Sequence, residues 1–244
     1  SRLLHDGILL GTLADITHRK EAEEQTRRYT DELEKLNASK DKFFSIISHD
    51  LRSPLSTLHG YTDLLMNDVD GYDRETIKNM AASMNGLTDR IHALLENLLE
   101  WSRFQAGRME YQPIKVDLHD IVDDTVDLLQ ENALRKRLTI KNHLNGDSCA
   151  LADMRMLRSV VQNLLSNALK FSHAGASIEI LANRRDAHIQ LSVIDHGVGM
   201  SRKQLANLFR IDAHMTSVGT ADEQGSGLGL ILCRELMELN KGRI

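Results

Sequence analysis

His49 lies in the run Ser-Ile-Ile-Ser-His-Asp-Leu-Arg-Ser-Pro-Leu, where apolar residues recur at intervals of three and four. Its helical neighbours Ser45, Arg52 and Ser53 are polar, which places the imidazole off the apolar stripe and in water. Imidazole is substantially neutral near pH 7, so a nitrogen lone pair is available to accept a phosphoryl group. Asp50 could orient the ring or accept its proton. A structural histidine is the plainer alternative, but it would have to share the apolar stripe.

Four residues of a later helical segment form a second candidate site. Asn163, Asn167, Lys170 and Phe171 stand at positions i, i+4, i+7 and i+8, so they line one helix face. The amide oxygens of the two asparagines are adequate ligands for Mg²⁺, and Lys170 offers a point charge to nucleotide phosphates. Taken alone, however, this pattern fits a solvated polar face better.

A carboxylate followed by two glycines forms a third candidate segment. Alternate residues of a predicted strand are apolar and face inward, and Asp195 is the next residue on that same face. Gly197 and Gly199 come directly after it. A carboxylate that points into a pocket needs a donor, and the exocyclic amine of adenine would serve. The glycines would let a flat base approach the backbone closely. The alternative is an ordinary tight turn after a strand.

Alternating glycines precede the last predicted helix. Gly225, Gly227 and Gly229 stand in the run Gly-Ser-Gly-Leu-Gly-Leu, which includes Leu228. Free backbone N–H groups at the positive end of a helix bind phosphates well. No Gly-Lys-Ser/Thr follows, so this is no Walker A loop, and the position along the chain does not fit a dinucleotide fingerprint. The polar residues 212–224 suit a lid over a nucleotide.

Two long helices must carry His49. Apolar residues at helical spacing predict one helix over residues 44–65, a polar turn over 67–73 and a second helix over 77–101. Leu95 and Leu99 lie beside the second stripe and make it wider than a two-helix hairpin can bury. A second copy of the hairpin is the natural cover, which predicts a four-helix bundle formed by two chains.

The pattern changes near residue 111 to alternating helices and strands, which predicts a second, α+β domain. Asp153 is a good N-cap for the helix that carries the two asparagines. The predicted strands cover 114–118, 138–144, 178–182 and 189–193, and the predicted helices cover 118–134, 153–171 and 228–239.

The run Ser-His-Asp-Leu-Arg-Ser-Pro-Leu closely resembles the H-box of two-component sensor histidine kinases. The resemblance implies that His49 is the phosphoryl acceptor and that Asp50 is the acid/base residue. Many members also dephosphorylate their partner with a threonine or asparagine at the position that Ser53 holds here. Phosphatase activity is therefore a further expectation, with serine at the position where the family has threonine or asparagine.

The three later segments, in this order, resemble the N, G1 and G2 boxes of the GHKL, or Bergerat, ATPase domain. The resemblance implies that Asn167 is the main Mg²⁺ ligand with Asn163 assisting, and that Asp195 holds adenine. Members that hydrolyse ATP carry a glutamate where this chain has Asn163, which favours transfer to histidine over hydrolysis. The F-box is only partly matched by Leu208-Phe209, because Asp212 stands where the family usually repeats an aromatic residue.

The predicted fold class is multidomain. Residues 1–18, which end in a stretch that resembles the exit of a PAS sensor domain, are expected to be a remnant of such a domain. Residues 19–40 carry a thin apolar thread near heptad spacing and predict a coiled-coil linker, although an exposed single helix fits equally. An all-α hairpin over 41–107 forms the dimeric four-helix bundle, and an α+β ATP-binding sandwich of the GHKL type covers 112–244, without the family's closing strands.

Composition restricts the other function classes. The 35 acidic and 30 basic residues give a formal charge of −5 and form no basic block, so a nucleic-acid partner is not expected. Cys149 and Cys233 stand far apart, without the spacing of a disulfide framework or a zinc site. No apolar run approaches the roughly 20 residues that cross a bilayer. A cytoplasmic segment that does not span a membrane is the prediction, although the parent protein could be anchored.

The leading hypothesis is a sensor histidine kinase that uses ATP and Mg²⁺ to phosphorylate His49. The family resemblance implies that the phosphoryl group then passes to an aspartate in the receiver domain of a response regulator. One alternative stays open at this point, a non-catalytic dimeric scaffold, or pseudokinase, that only binds nucleotide. A freestanding ATPase of the gyrase or chaperone type is disfavoured, because this chain lacks the glutamate that such enzymes use and because such an enzyme has no use for the exposed histidine.

Overall fold

A computed structural model of the chain describes residues 2, 3, 9, 10, 17–105, 109–146, 148–210, 218–221, 223 and 227–244. The chain forms two compact units, Ser1–Phe44 and Ser45–Ile244. In the first unit, β1 (Arg2–Leu3) and β2 (Leu9–Leu10) pair in antiparallel fashion. Most of the predicted PAS remnant lies outside the described residues, so that part of the domain division stays a prediction.

Two helices joined by a short turn follow. Helix α1 (Thr17–Asp68) runs without interruption through the predicted linker and the histidine segment, and it continues through Pro54. A 3₁₀ turn (Val69–Gly71) leads into helix α2 (Arg74–Gln105). The backbone N–H of Thr76 donates to Asp73 Oδ1 at 2.7 Å, which satisfies one of the unpaired N–H groups at the start of α2. The predicted helix, turn and helix are thus confirmed.

Helix α2 buries the stripe that its sequence predicts. Every member of the stripe is buried or half-buried: Ile77, Met80, Met84, Leu87, Ile91, Leu94, Leu98 and Trp101. Leu95 and Leu99, beside the stripe, keep 42% and 52% of their surface exposed in the single chain. Uncovered leucines on one side of a helix are the feature from which the sequence predicts a second copy.

The remainder of the second unit alternates strands and helices. Its elements are β3 (Ile114–Asp117), α3 (Leu118–Arg135), β4 (Thr139–Asn142), β5 (Cys149–Ala152), α4 (Met154–Phe171), β6 (Ser177–Arg185), β7 (His188–Ile194), α5 (Arg202–Asn207) and α6 (Gly229–Leu239). Strands β3 and β5 form an antiparallel pair. The other sheet has the order β4-β6-β7, with β4 parallel to β6 and β6 antiparallel to β7. The predicted α+β architecture is confirmed.

Helix α4 lies at the centre of this domain because it is apolar on two faces. One face, which includes Leu165, packs with α3 and with Ile178 and Ile180 of β6. The other face, which includes Met156, packs against α6. Asp153 caps the helix by accepting from the backbone N–H groups of the following turn. The polar stripe between the two packed faces is thereby held in a fixed orientation.

None of the described helices combines the length and the apolar composition that crossing a membrane would require.

Candidate functional site

His49 lies on the exposed face of α1, as its neighbours in the sequence predict. Its side chain is 84% exposed, whereas the adjacent Asp50 is buried, and His49 Nδ1 lies 3.1 Å from Asp50 Oδ1. An ionised carboxylate only accepts hydrogen bonds, so this contact stabilises the tautomer with hydrogen on Nδ1. In that tautomer Nε2 carries the lone pair. The imidazole is therefore accessible, oriented and nucleophilic at its outer nitrogen.

Ser53 is exposed one helical turn after His49. Its backbone carbonyl accepts from Thr57 Oγ1 at 3.1 Å, in a local helical contact. Helix α1, which carries His49, Asp50 and Ser53, contributes none of the described residues that line the groove of the second candidate site. The structure therefore does not bring the two candidate sites together.

The three nucleotide-type segments meet in one groove. The groove has a volume of about 1970 Å³ and lies between α2 and the α+β domain. Its walls include the predicted residues Asn163, Asn167, Lys170, Phe171, Asp195, Gly199, Gly227 and Gly229. Gly225 is outside the described residues. A cavity this large, lined by amides, a carboxylate, a lysine and glycine backbone, has room for a nucleotide.

Asn163 and Gly229 hold α4 and α6 close together at the groove. Asn163 Nδ2 donates to the backbone carbonyl of Ser159 at 3.0 Å, which fixes the plane of the amide. A β-carbon at Gly229 would overlap Asn163 Oδ1. Position 229 therefore requires glycine, because the amide oxygen of Asn163 lies against the beginning of α6 and leaves no room for a side chain.

The Asp195 turn is fastened to the end of α4. Asp195 Oδ1 accepts from the backbone N–H of Gly197 at 2.9 Å. Gly197 forms an isolated antiparallel bridge with Ser172, and a β-carbon there would overlap the carbonyl oxygen of Phe171. The backbone N–H of Val198 donates to that same oxygen at 3.2 Å. These contacts set the position of the Asp195 carboxylate relative to α4.

Three details differ from the sequence expectation. Asp195 lies just past the end of β7 and is exposed, so it borders the groove and does not continue the inward row of the strand. Gly197 is absent from the described lining of the groove and instead packs on Phe171. Leu228 is buried with 2% exposure and is also absent from the described lining of the groove.

Two groove glycines adopt a backbone conformation that other residues rarely take. Gly199 has φ of +66° and Gly227 has φ of +65°. Glycine reaches this region without the steric cost that a β-carbon imposes. The bends after β7 and before α6 therefore depend on glycine.

The groove is electropositive around Lys170. Burial lowers the pKa of Lys170, Glu223 opposes this change, and the nearby cations Arg90 and Lys136 lower the pKa further. Lys170 Nζ also lies 4.6 Å from the centre of the Phe171 ring. Three cations and one carboxylate leave an excess of positive charge, which suits an anionic ligand such as a polyphosphate.

Sequence reasoning missed Arg90, Lys136 and Glu223. Arg90 lies on α2, in the other domain, and Glu223 lies within the segment expected to be a lid. None of them belongs to a motif, and their proximity to Lys170 arises only from tertiary structure. The one signal in the sequence is that Arg90 is a charged residue outside the apolar stripe of α2.

Comparison with known families finds a match in each half of the chain. Residues 39–107 match the His Kinase A (phospho-acceptor) domain. Residues 152–244 match the family described as histidine kinase-, DNA gyrase B- and HSP90-like ATPase. The first match contains His49, and the second contains every residue that was predicted to contact the nucleotide.

Two curated relatives match nearly the whole chain. The non-motile and phage-resistance protein of Caulobacter vibrioides is 29% identical over 97% of this chain, which corresponds to 32% of that protein. The cell-division control histidine kinase PdhS of Brucella anthropi is 26% identical over 99% of the chain and 24% of its own length. The chain thus spans a quarter to a third of the length of these relatives.

Solved structures share the fold. Histidine kinase ThkA, solved in complex with the response regulator protein TrrA, superposes with a TM-score of 0.64 at 19% identity, over 95% of this chain and 63% of that one. Full-length ShkA, solved in complex with AMPPNP, gives a TM-score of 0.53 at 25% identity, over 80% of this chain and 40% of that one. Because residues 39–107 match the phospho-acceptor domain and residues 152–244 match the ATPase domain, the chain belongs to the sensor histidine kinase family.

Proposed function

We propose that the chain is the catalytic core of a histidine kinase that phosphorylates His49 from ATP and passes the phosphoryl group to an aspartate of a response regulator. One observation carries the proposal. The three nucleotide-type segments line a single groove that contains Lys170, and the chain separately presents an exposed imidazole whose Nδ1 is engaged by a buried carboxylate. A nucleotide pocket and an accessible nucleophile are the two parts that phosphoryl transfer to histidine needs.

The groove residues fit ATP with Mg²⁺. Asp195 would accept from the adenine amine, Lys170 would contact the phosphates, and the beginning of α6 would supply backbone N–H groups. The amide oxygens of Asn167 and Asn163 would hold Mg²⁺, which prefers oxygen ligands and usually takes several from phosphates and water. When bound, the metal neutralises charge on the phosphoryl group that is transferred.

The chain's own residues account for the transfer step. The Nε2 lone pair of His49 attacks the γ-phosphorus in line, a new N–P bond forms, and the bond to the β,γ-bridging oxygen breaks to release ADP. The hydrogen stays on Nδ1 and is donated to Asp50 in a hydrogen bond, and the carboxylate stabilises positive charge on the ring. Since α1 contributes no described residue to the groove, transfer requires a movement of the α+β domain or the His49 of a second copy.

A homodimer is part of the proposal. The uncovered Leu95 and Leu99 support it, because a second hairpin through residues 41–107 would bury them in a four-helix bundle. The receiver domain of a response regulator is the proposed phosphoryl acceptor, and the complex of ThkA with TrrA is a precedent in a protein of the same fold. Phosphatase activity through Ser53 stays a prediction. We also place this chemistry in the cytoplasm, where ATP is available.

The test is incubation with γ-labelled ATP and Mg²⁺, followed by analysis of the bound label. We expect a label that is acid-labile and alkali-stable, as a phosphohistidine is, and that is abolished by His49→Gln. His59→Gln is the matched control, because His59 is exposed on the same helix and also contacts a carboxylate, with Nδ1 2.8 Å from Asp63 Oδ2. Label that persists in His49→Gln would refute the assignment.

The same assay separates the alternative functions. A pseudokinase scaffold would bind nucleotide without becoming labelled. A freestanding ATPase would release inorganic phosphate at a rate that His49→Gln does not change.

A further inference from the structure

Lys136 occupies a position in which its ammonium group is fully engaged. Nζ donates to the backbone carbonyls of Leu169 and Lys170 at 2.8 and 2.7 Å, and to Glu223 Oε1 at 2.8 Å. The side chain is only 12% exposed. An ammonium has three hydrogens, and here each has an acceptor. Two of these acceptors are carbonyls in the last turn of α4, where the helix dipole favours a positive charge.

The backbone around Lys136 directs this side chain to the end of α4. Lys136 is the C-cap of α3, and the next residue, Arg137, has φ of +56°. Arg137 also accepts, through its carbonyl, from the backbone N–H of Gly175 just after α4, at 3.1 Å. The sharp end of α3 is thus joined to the chain that leaves α4. Lys136 is fixed at both its backbone and its ammonium group.

Glu223 belongs to a short segment, residues 218–221 and 223, that we call the loop base. Within it, the backbone N–H of Ala221 donates to Glu223 Oε2 at 2.9 Å. Thr220 connects it to α4, because its N–H donates to the carbonyl of Lys170 at 3.1 Å and its hydroxyl donates to the carbonyl of Ser172 at 2.6 Å. The loop base therefore lies against the last turn of α4 and uses the same carbonyl of Lys170 as Lys136 does.

This network touches the nucleotide groove at one residue. Lys170 supplies the shared carbonyl through its backbone, and its side chain lines the groove together with Glu223. Glu223 also favours the charged form of Lys170, opposing the effect of burial on its pKa. Removal of Lys136 would take a charged donor from the carbonyls of Leu169 and Lys170 and from the Glu223 carboxylate, which is costly where water is scarce.

We propose that Lys136 and Glu223 are positioning residues for the phosphate end of the nucleotide, because their ion pair fastens the loop base to the end of α4 and thereby fixes Lys170. The proposal rests on the proposed function for the identity of the ligand. Neither residue needs to touch ATP. Their loss is therefore expected to weaken nucleotide binding, while the transfer step at saturating ATP is largely preserved.

The experiment compares Lys136→Met, Lys136→Arg and Glu223→Gln with wild-type protein. Binding is measured with a fluorescent ATP analogue and Mg²⁺, and KM and kcat are taken from the labelling of His49. We expect Lys136→Met to weaken binding and raise KM about tenfold, an effect typical of residues that act through others, while kcat changes by less than about threefold. Lys136→Arg keeps the charge and the donors and should restore most of the affinity. Lys141→Met, at an exposed position in β4, is the matched control.

Hydrogen exchange without nucleotide provides an independent readout. The amide of Thr220 should exchange faster in Lys136→Met and Glu223→Gln than in wild-type protein. Unchanged exchange there, or wild-type affinity in Lys136→Met, would overturn the proposal. Should Lys136→Met fail to fold, Glu223→Gln decides, because its amide preserves the shape and removes only the charge. Wild-type protein that binds the analogue but is never labelled would refute the proposed function, and the binding data would still decide this inference.

Discussion

The α-carbon of Gly229 faces the side-chain amide of Asn163, so closely that a single methyl group would overlap the amide oxygen. The contact joins two segments that are more than sixty residues apart in the sequence, and it lies in the wall of the groove. We therefore expect Gly229→Ala to displace either Asn163 or the beginning of α6. Overpacking of this kind typically costs about 1–3 kcal/mol, so nucleotide affinity should fall by about tenfold or more. Titration with ATP at fixed Mg²⁺ measures the loss.

Gly60→Ala is the matched control for this substitution. Gly60 lies in α1, away from the described lining of the groove, and no atom lies within 4 Å of the position of an added β-carbon. Alanine in a helix interior is more favourable than glycine by about 1 kcal/mol, so this variant should be slightly more stable and bind nucleotide normally. Wild-type affinity in Gly229→Ala would show that the groove tolerates the added methyl group.

Exposed leucines on α2 allow the proposed dimer to be tested. Leu95→Glu combined with Leu99→Glu should shift the protein to monomers, because a buried interface would have to accommodate two unpaired charges. We expect the dissociation constant of the dimer to rise by at least about 100-fold. Sedimentation velocity over a concentration series measures it. Leu134→Glu, at a position that is 64% exposed in α3, should leave the dimer intact. A double variant that stays dimeric would place the interface elsewhere.

A third prediction concerns pH and the start of α3. His119 Nδ1 lies 3.0 Å from Asp117 Oδ1 and 2.6 Å from Ser148 Oγ. The hydrogen bond to Asp117 raises the pKa of His119 above its usual 6.5. A raised pKa means that protonated His119 stabilises the fold, fully below pH 6.5 and decreasingly as pH rises through the folded-state value.

Thermal unfolding of wild-type protein and His119→Gln should therefore differ by a constant amount in Tm at pH below about 6.5, and the difference should shrink at higher pH. Asp117→Asn removes the charged acceptor that raises the pKa most, so in that background the pH dependence of the difference should become smaller. A difference that grows with pH would contradict this assignment.

Glu100 carries an energetic cost at neutral pH. It lies on α2 and accepts from Ser159 Oγ at 3.0 Å, and burial is the main reason why its pKa is raised. When the folded state raises the pKa of an acid, the protein loses stability as pH increases through that pKa. Glu100→Gln keeps an acceptor for Ser159 without the charge. We expect it to raise Tm at pH 7.5 and to have no effect below pH 4.5. The gain in the free energy of unfolding at pH 7.5 should be less than about 1 kcal/mol, because water still screens the group.

The long helices could be predicted from sequence because their periodicity is local. The stripe over residues 77–101 and the N-cap at Asp153 both act within a few residues, and the structure agrees with each. The four-residue strand β5 (Cys149–Ala152) was not predicted, because its pairing with β3 joins residues about 35 apart and so short a run shows no clear alternation. The six-residue helix α5 was missed for the same reason of length, although Ser201 and Gln204 form a capping box.

The candidate sites show the same limit. Asn163 and Asn167 could be placed on one face because helical spacing fixes their relation. Lys136 and Glu223 are 87 residues apart, and no pattern in either segment indicates that they meet. Asp195 was expected to continue the strand, but the strand ends one residue earlier, and strand ends are set by the turn that follows. Motifs thus identify the chemistry, whereas the supporting contacts depend on the completed fold.

The amide side chain of Asn163 affects when bound ATP is consumed. Its nitrogen donates to the carbonyl of Ser159, and an amide takes up no proton at neutral pH, so it cannot activate water as a carboxylate could. ATP bound in such a groove would be hydrolysed slowly and would stay intact until transfer to the histidine. The rate of signalling would then depend on how often an imidazole arrives at the waiting nucleotide, and conformational control of that encounter would be sufficient to switch the protein on or off.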